Sequence, residues 1–192
     1  MATVFIIHGS YGHPGENWFP WLKDELEKIG HRVCVPQFPC PKSNAPSDGT
    51  HDIHKWFEVF LPYMQYLDRD TIIVAHSRGC VFLYHLLQRL NTPIHTALFV
   101  GPFLHHWMRK DWTADENDAQ IPFDWSKIKK NIYFRVVYQS TNDEIPIEEG
   151  KEIAKNLDAE FILIRNAGHF NIAYDKRFKK FPLFLKKIKL NL

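Results

Sequence analysis

Ile72-Ile73-Val74-Ala75-His76-Ser77-Arg78-Gly79 is the stretch on which the fold turns. Its first residues are apolar and β-branched, as a buried strand requires. The strand runs into a serine and, two positions on, a glycine. A serine on such a sharp strand-to-helix turn projects its hydroxyl beyond the top of a sheet, within reach of a base. The pattern is the nucleophile elbow, G-x-S-x-G, with Ala75 at the first glycine position. The turn crowds the backbone, so small residues are needed two before and two after the serine. Ala75 and Gly79 meet that need. A second reading shares the same turn: Ser77 as the N-cap of the helix that follows. An N-cap does not need small residues on both sides.

Outward from the elbow, short apolar runs alternate with helix-like segments. Val4–His8, Arg32–Pro36, Thr71–Ala75, His95–Val100, Ile132–Tyr138 and Phe161–Ile164 read as strands. Trp18–Ile29, Asp52–Leu67, Gly79–Leu90, Ile147–Leu157 and Asp175–Leu190 read as helices, with a possible kink at Pro62. Alternation with apolar central strands predicts a compact α/β fold, with a mostly parallel, doubly wound sheet of about six strands and helices on both faces. Ligands of such sheets bind beyond the carboxyl ends of the strands. The Ser-Arg-Gly turn, the Ser140–Asp143 loop and the Gly168-His169 turn all follow strands, so they converge on one rim.

The chain has 192 residues and a net charge of +2, so it reads as a single domain, 1–192, with no charge-driven preference for nucleic acid. A weakly patterned, aromatic-then-polar stretch around 103–125 reads as a short lid-like insertion. The three cysteines, Cys34, Cys40 and Cys80, cannot all pair within the chain, and free thiols fit a reducing compartment. No signal peptide and no apolar run near the roughly 20 residues of a membrane span is seen. A cytoplasmic protein without stable membrane association is expected.

Ser77 is the candidate nucleophile, a weak one until a base takes its proton. His169 is the candidate base; Gly168 before it permits a turn that swings the imidazole over the rim. With eleven histidines in the chain, a plain surface-loop histidine is the competing reading. Asp143 is the candidate acid that would hold the imidazole Nδ1–H; a turn aspartate competes, and Glu144 is adjacent. Backbone amides of Ser10 and Arg78 are candidates for the oxyanion hole, against a ligand-free glycine turn at His8–Gly12. His76 points away from the serine and reads as a residue that supports the site from behind or simply packs; Cys80, behind the elbow, reads as packing. Tyr11, Trp18, Phe103, Trp107 and Phe170 are candidate pocket residues.

Other motifs carry less. His51 with His54, and His105 with His106, lack a carboxylate and third ligand at a metal spacing, so no metal and no cofactor is expected. Gly9 and Gly12 are not followed by Gly-Lys-Ser/Thr, which argues against a phosphate loop. The basic run from Lys176 to Lys189 reads as the solvated face of the last helix.

Taken together, several segments resemble the retinoblastoma-binding protein 9 family of small serine hydrolases and its bacterial relatives. They are His8-Gly9, Asn17-Trp18-Phe19-Pro20-Trp21-Leu22, Pro36-Gln37-Phe38-Pro39, Ala75-His76-Ser77-Arg78-Gly79, Pro122–Ile128, Ser140-Thr141-Asn142-Asp143 and Gly168-His169-Phe170. The resemblance implies an α/β-hydrolase fold and a Ser77-Asp143-His169 triad of esterase type. Two departures stand: Pro146 lies three residues after Asp143 where the family often has four, and the Leu-x-Cys-x-Glu peptide tied to retinoblastoma-protein binding is absent. No protein partner is therefore inferred. The expected function is metal-independent hydrolysis of a small carboxylic ester or an amide through an acyl-enzyme on Ser77. The alternative is a catalytically weak hydrolase fold used as a protein-binding module.

Overall fold

The computed structural model describes residues 1–41, 52–104 and 122–190. Most of the insertion read over 103–125 lies outside the described residues, as do Trp107, His51, His105 and His106.

Among the described residues six strands form one sheet, and every pairing is parallel: β1 (Thr3–Ile7), β2 (Arg32–Cys34), β3 (Ile72–His76), β4 (Ile94–Val100), β5 (Ile132–Ser140) and β6 (Glu160–Ile164). Their order across the sheet is β2-β1-β3-β4-β5-β6. The order reverses at β1 and β3, and the crevice above that switch point is where the loops after β1 and β3 open apart.

Two-residue periodicity sends alternate strand residues to opposite faces. Phe5, Ile7, Ile73, Ala75, Ala97, Phe99 and Val137 meet α2 (Ile53–Phe60), α3 (Arg78–Leu87), α4 (Trp125–Lys130) and α5 (Ile147–Leu157). Val4, Ile6, Ile72, Val74, Leu98, Val100, Val136 and Tyr138 meet α1 (Phe19–Lys28) and α6 (Pro182–Leu190). Central strands apolar on both faces follow from helices covering both.

Prolines set the departures from the expected helix lengths. The segment 52–67 is α-helical only to Phe60 and tightens to a 3-10 turn over Leu61–Tyr66, with Pro62 in its first turn. Pro62 has no N–H to continue the ladder. The final helix is likewise divided: Asp175 caps a short 3-10 turn over Lys176–Lys179, and α6 begins at Pro182. The short α4, capped by Asp124 onto the Lys127 amide, is an element the hydrophobic spacing does not reveal.

Gly79 lets α3 approach β1. A Cβ there would lie 2.7 Å from the His8 carbonyl oxygen and 2.8 Å from that of Ile7. Helix propensity alone favours alanine over glycine by about 1 kcal/mol. Two backbone oxygens cannot yield as a side chain can, so overpacking wins. Gly79→Ala is predicted to lower the unfolding free energy by about 1–3 kcal/mol in urea titrations; unchanged or raised stability would contradict this packing.

Candidate active site

Ser77 sits between β3 and α3 with φ 53° and ψ −123°. A non-glycine residue there costs about 1–3 kcal/mol. The surroundings hold it in place. Its N–H donates to the Val100 carbonyl at 2.9 Å, and its carbonyl accepts from the Cys80 N–H at 2.9 Å. Two such bonds, each worth about 1 kcal/mol net, offset much of the strain. Ser77 occupies the N-cap position, yet its hydroxyl makes no cap hydrogen bond. The two readings of this residue therefore separate: the helix starts here without using the Oγ. Behind the turn, the Cys80 thiol donates to the Ala75 carbonyl at 3.2 Å, and burial pushes the thiol's pKa up, so it packs.

The loop after β5 brings Asp143 to His169. The imidazole Nδ1 lies 3.0 Å from each carboxylate oxygen. The Asp143 side chain is fully buried and that of His169 nearly so. A carboxylate can only accept, so the Nδ1 that faces it carries a hydrogen and donates. Asp143 also accepts from the Ile145 N–H at 3.0 Å, which sets the loop's turn. Glu144, its neighbour, is exposed.

Gly101 links the serine and histidine sides. It directly follows Val100, whose carbonyl holds Ser77, and its φ is +55°. A Cβ at this position would stand 3.1 Å from His169 Cε1 and 3.5 Å from Asp143 Oδ2. Only a residue without a side chain, free to take a left-handed conformation, fits between the end of β4 and the imidazole. Sequence reasoning missed Gly101, although a glycine immediately after an apolar strand was the available signal.

The loop after β1 closes the site. Gly9 is close enough to the elbow that a Cβ would lie 2.8 Å from Ser77 Cβ and 3.3 Å from its Oγ. The Arg78 Nε donates to Ser10 Oγ at 3.2 Å, so both candidate oxyanion residues lie at the same corner. Arg78 opens α3, where the first amides have no intrahelical acceptor. His8 stabilises this loop: its Nδ1–H donates to the Gly9 carbonyl at 2.8 Å, and its Nε2 accepts from the Phe38 N–H at 2.9 Å. That pair of bonds needs a neutral ring, and burial lowers the His8 pKa accordingly.

The pocket candidates part company. Tyr11 is partly exposed on the loop after β1. Phe103 packs with Val81 and Ile145 in a small apolar cluster of its own. Val81 and Ile145 stand close in sequence to Ser77 and Asp143, and the sequence reading missed both. Trp18 and Phe170 lie fully buried among Phe178, Phe181 and Phe184, where they form core behind His169 rather than a surface open to a ligand.

An all-parallel sheet that carries a serine on a strained strand-to-helix turn is the α/β-hydrolase arrangement. The chain belongs to the serine hydrolase family, whose profile matches residues 4–189. It is 30% identical over 183 residues to YdeN of Bacillus subtilis, named as a hydrolase, covering 94% of this chain and 90% of that protein. It is 28% identical over 178 residues to the serine hydrolase RBBP9 of Rattus norvegicus, covering 88% and 86% respectively. The crystal structure of the B. subtilis ydeN product superposes with a TM-score of 0.87 at 25% identity, covering 100% of this chain and 98% of that one. The protein is an enzyme, a serine hydrolase. No helix among the described residues is long and apolar enough to cross a membrane.

Burial first, and the His169 imidazole second, lower the pKa of His76 from 6.5 to about 3. Between those values the unfolded chain binds a proton that the folded protein refuses. The stability from this residue is complete above pH 6.5 and is lost as the pH falls toward about 3. Its slope is on the order of 1 kcal/mol per pH unit. Urea midpoints are predicted to fall through this window, and less steeply in His76→Gln; identical slopes would contradict the assignment.

Proposed function

We propose that the enzyme hydrolyses small carboxylic esters, and amides of similar size, through an acyl-enzyme on Ser77. The observation that carries this reading is the paired contact of Asp143 with His169 Nδ1, 3.0 Å to each oxygen, which holds the imidazole by that nitrogen and keeps the acid off Nε2. His169 Nε2 takes the Ser77 proton as Oγ attacks the substrate carbonyl. The tetrahedral oxyanion is held by the amides of Ser10 and Arg78. His169 returns the proton to the departing alcohol, and the acyl group stays on Oγ. Water then attacks the acyl carbon, loses its proton to Nε2 and releases the acid, and Ser77 recovers its proton. Asp143 orients the imidazole and stabilises the transient imidazolium without taking its proton. No cofactor takes part.

Tyr11 and the Phe103–Val81–Ile145 cluster favour apolar groups on the substrate. Three free thiols support a cytoplasmic location.

The test is hydrolysis of short and medium acyl p-nitrophenyl esters. Ser77→Ala and His169→Ala are each predicted to lose roughly 10³-fold or more in kcat, and Asp143→Asn a comparable factor. The Ser77→Ala/His169→Ala double variant is predicted to be no worse than either single one, because the residues act as a unit. Wild-type rates in Ser77→Ala would overturn the proposal.

A further inference from the structure

The segment that carries His169 has no strand or helix to hold it. Gly168 and Phe170, on either side of His169, both have left-handed backbone, with φ of 52° and 54°. Side chains from other elements hold the segment instead. On its leading side, the Asn166, Ala167 and Gly168 N–H groups donate to Thr141 Oγ1, Ser140 Oγ and Asn142 Oδ1, at 3.0, 2.9 and 2.8 Å. On its trailing side, Trp18 Nε1–H donates to the Phe170 carbonyl at 3.1 Å. Between the two, the carbonyl of His169 itself lies 2.8 Å from His76 Nε2.

That last contact has one consistent protonation. A carbonyl only accepts, so His76 Nε2 carries the hydrogen and donates. His76 ends β3 and is buried, with its ring centroid 6.3 Å from Trp18, 6.1 Å from Phe19 and 4.9 Å from His169. An aromatic pocket of this kind suits an apolar side chain, and an imidazole there pays a desolvation penalty. The hydrogen bond to His169 is what distinguishes His76 from a phenylalanine or leucine in the same space.

The geometry matters because the Asp143 contact holds only one end of the imidazole. With Nδ1 fixed, the place of Nε2 depends on where the His169 backbone puts the ring. His76 is also the residue before Ser77. One hydrogen bond therefore ties the strand that carries the nucleophile to the backbone that carries the base. We infer that His76 is a positioning residue, fixing the separation of Ser77 and His169 through its Nε2–H to the His169 carbonyl. This rests on the acyl-transfer reading above. A displacement of about 1 Å in such an arrangement is enough to cost up to roughly 10²-fold in rate.

The test compares His76→Gln, His76→Asn and His76→Leu, with kcat and KM for a p-nitrophenyl ester and the thermal midpoint measured for each. Glutamine still reaches the carbonyl with an N–H; asparagine is shorter, and leucine has no donor. His76→Asn and His76→Leu are predicted to lose roughly 10- to 100-fold in kcat with KM within about twofold, and His76→Gln to stay within about fivefold of wild type. If His76→Leu does not fold, the Gln–Asn pair carries the comparison. A readout independent of turnover is the His169 Nδ1–H proton resonance. It is predicted to be slow to exchange in wild type and His76→Gln, and faster in His76→Asn. Inactivity of the wild-type protein toward esters would remove the acyl-transfer reading but leave this resonance to decide the positioning role. Equal kcat and equal exchange across all variants would overturn the inference, as would a loss in His76→Gln matching that in His76→Asn.

Discussion

One strained residue organises this protein. Ser77 adopts a backbone conformation that L-residues avoid, and it does so because β3 ends and α3 begins within a single residue. Everything around it serves that turn. Gly79 lets the helix start against β1, Gly9 lets the neighbouring loop come up to the serine, and Val100 accepts the serine's N–H. The strain, about 1–3 kcal/mol, is small beside the burial of strands covered on both faces, so the core can sustain it. In exchange the hydroxyl is lifted clear of the helix and left without a capping partner.

The parallel sheet does the remaining assembly. Loops after β1, β3, β4 and β5, and the turn after β6, open on the same rim because all six strands point the same way. Residues far apart in the chain then need only short loops to meet. Three histidines at this rim are tied to fixed acceptors. His8, His76 and His169 each have an accepting neighbour, a carbonyl or a carboxylate, that requires a hydrogen on the ring nitrogen facing it. Burial keeps His8 and His76 neutral, so they serve as fixed hydrogen-bonding groups at ordinary pH.

Much of this was legible in the sequence, for identifiable reasons. The strand-helix alternation and the elbow are local patterns, so the parallel sheet, its helices on both faces and the place of Ser77 could be read directly. Asp143 and His169 were legible because each follows a strand. Less visible was what depends on contacts across the fold. Gly101 touches His169 only because β4 lies between β3 and β5. Ser140, Thr141 and Asn142 read as a polar turn, and their bonds to residues 166–168 appear only once β5 and β6 are paired. His76 read as either a support for the site or packing; its burial agrees with both, and its bond to the His169 carbonyl has no signature in spacing. Trp18 and Phe170 looked like pocket aromatics, and Phe178, Phe181 and Phe184, in and just before α6, pack over them instead.

The central claim is that the rim turns the Ser77 hydroxyl into a nucleophile. Reaction of the folded protein with a fluorophosphonate, followed by peptide mass mapping, tests it most directly. The account predicts a single covalent adduct on Ser77, abolished by prior denaturation. A folded protein that stays unlabelled, or carries its adduct on another residue, would contradict it.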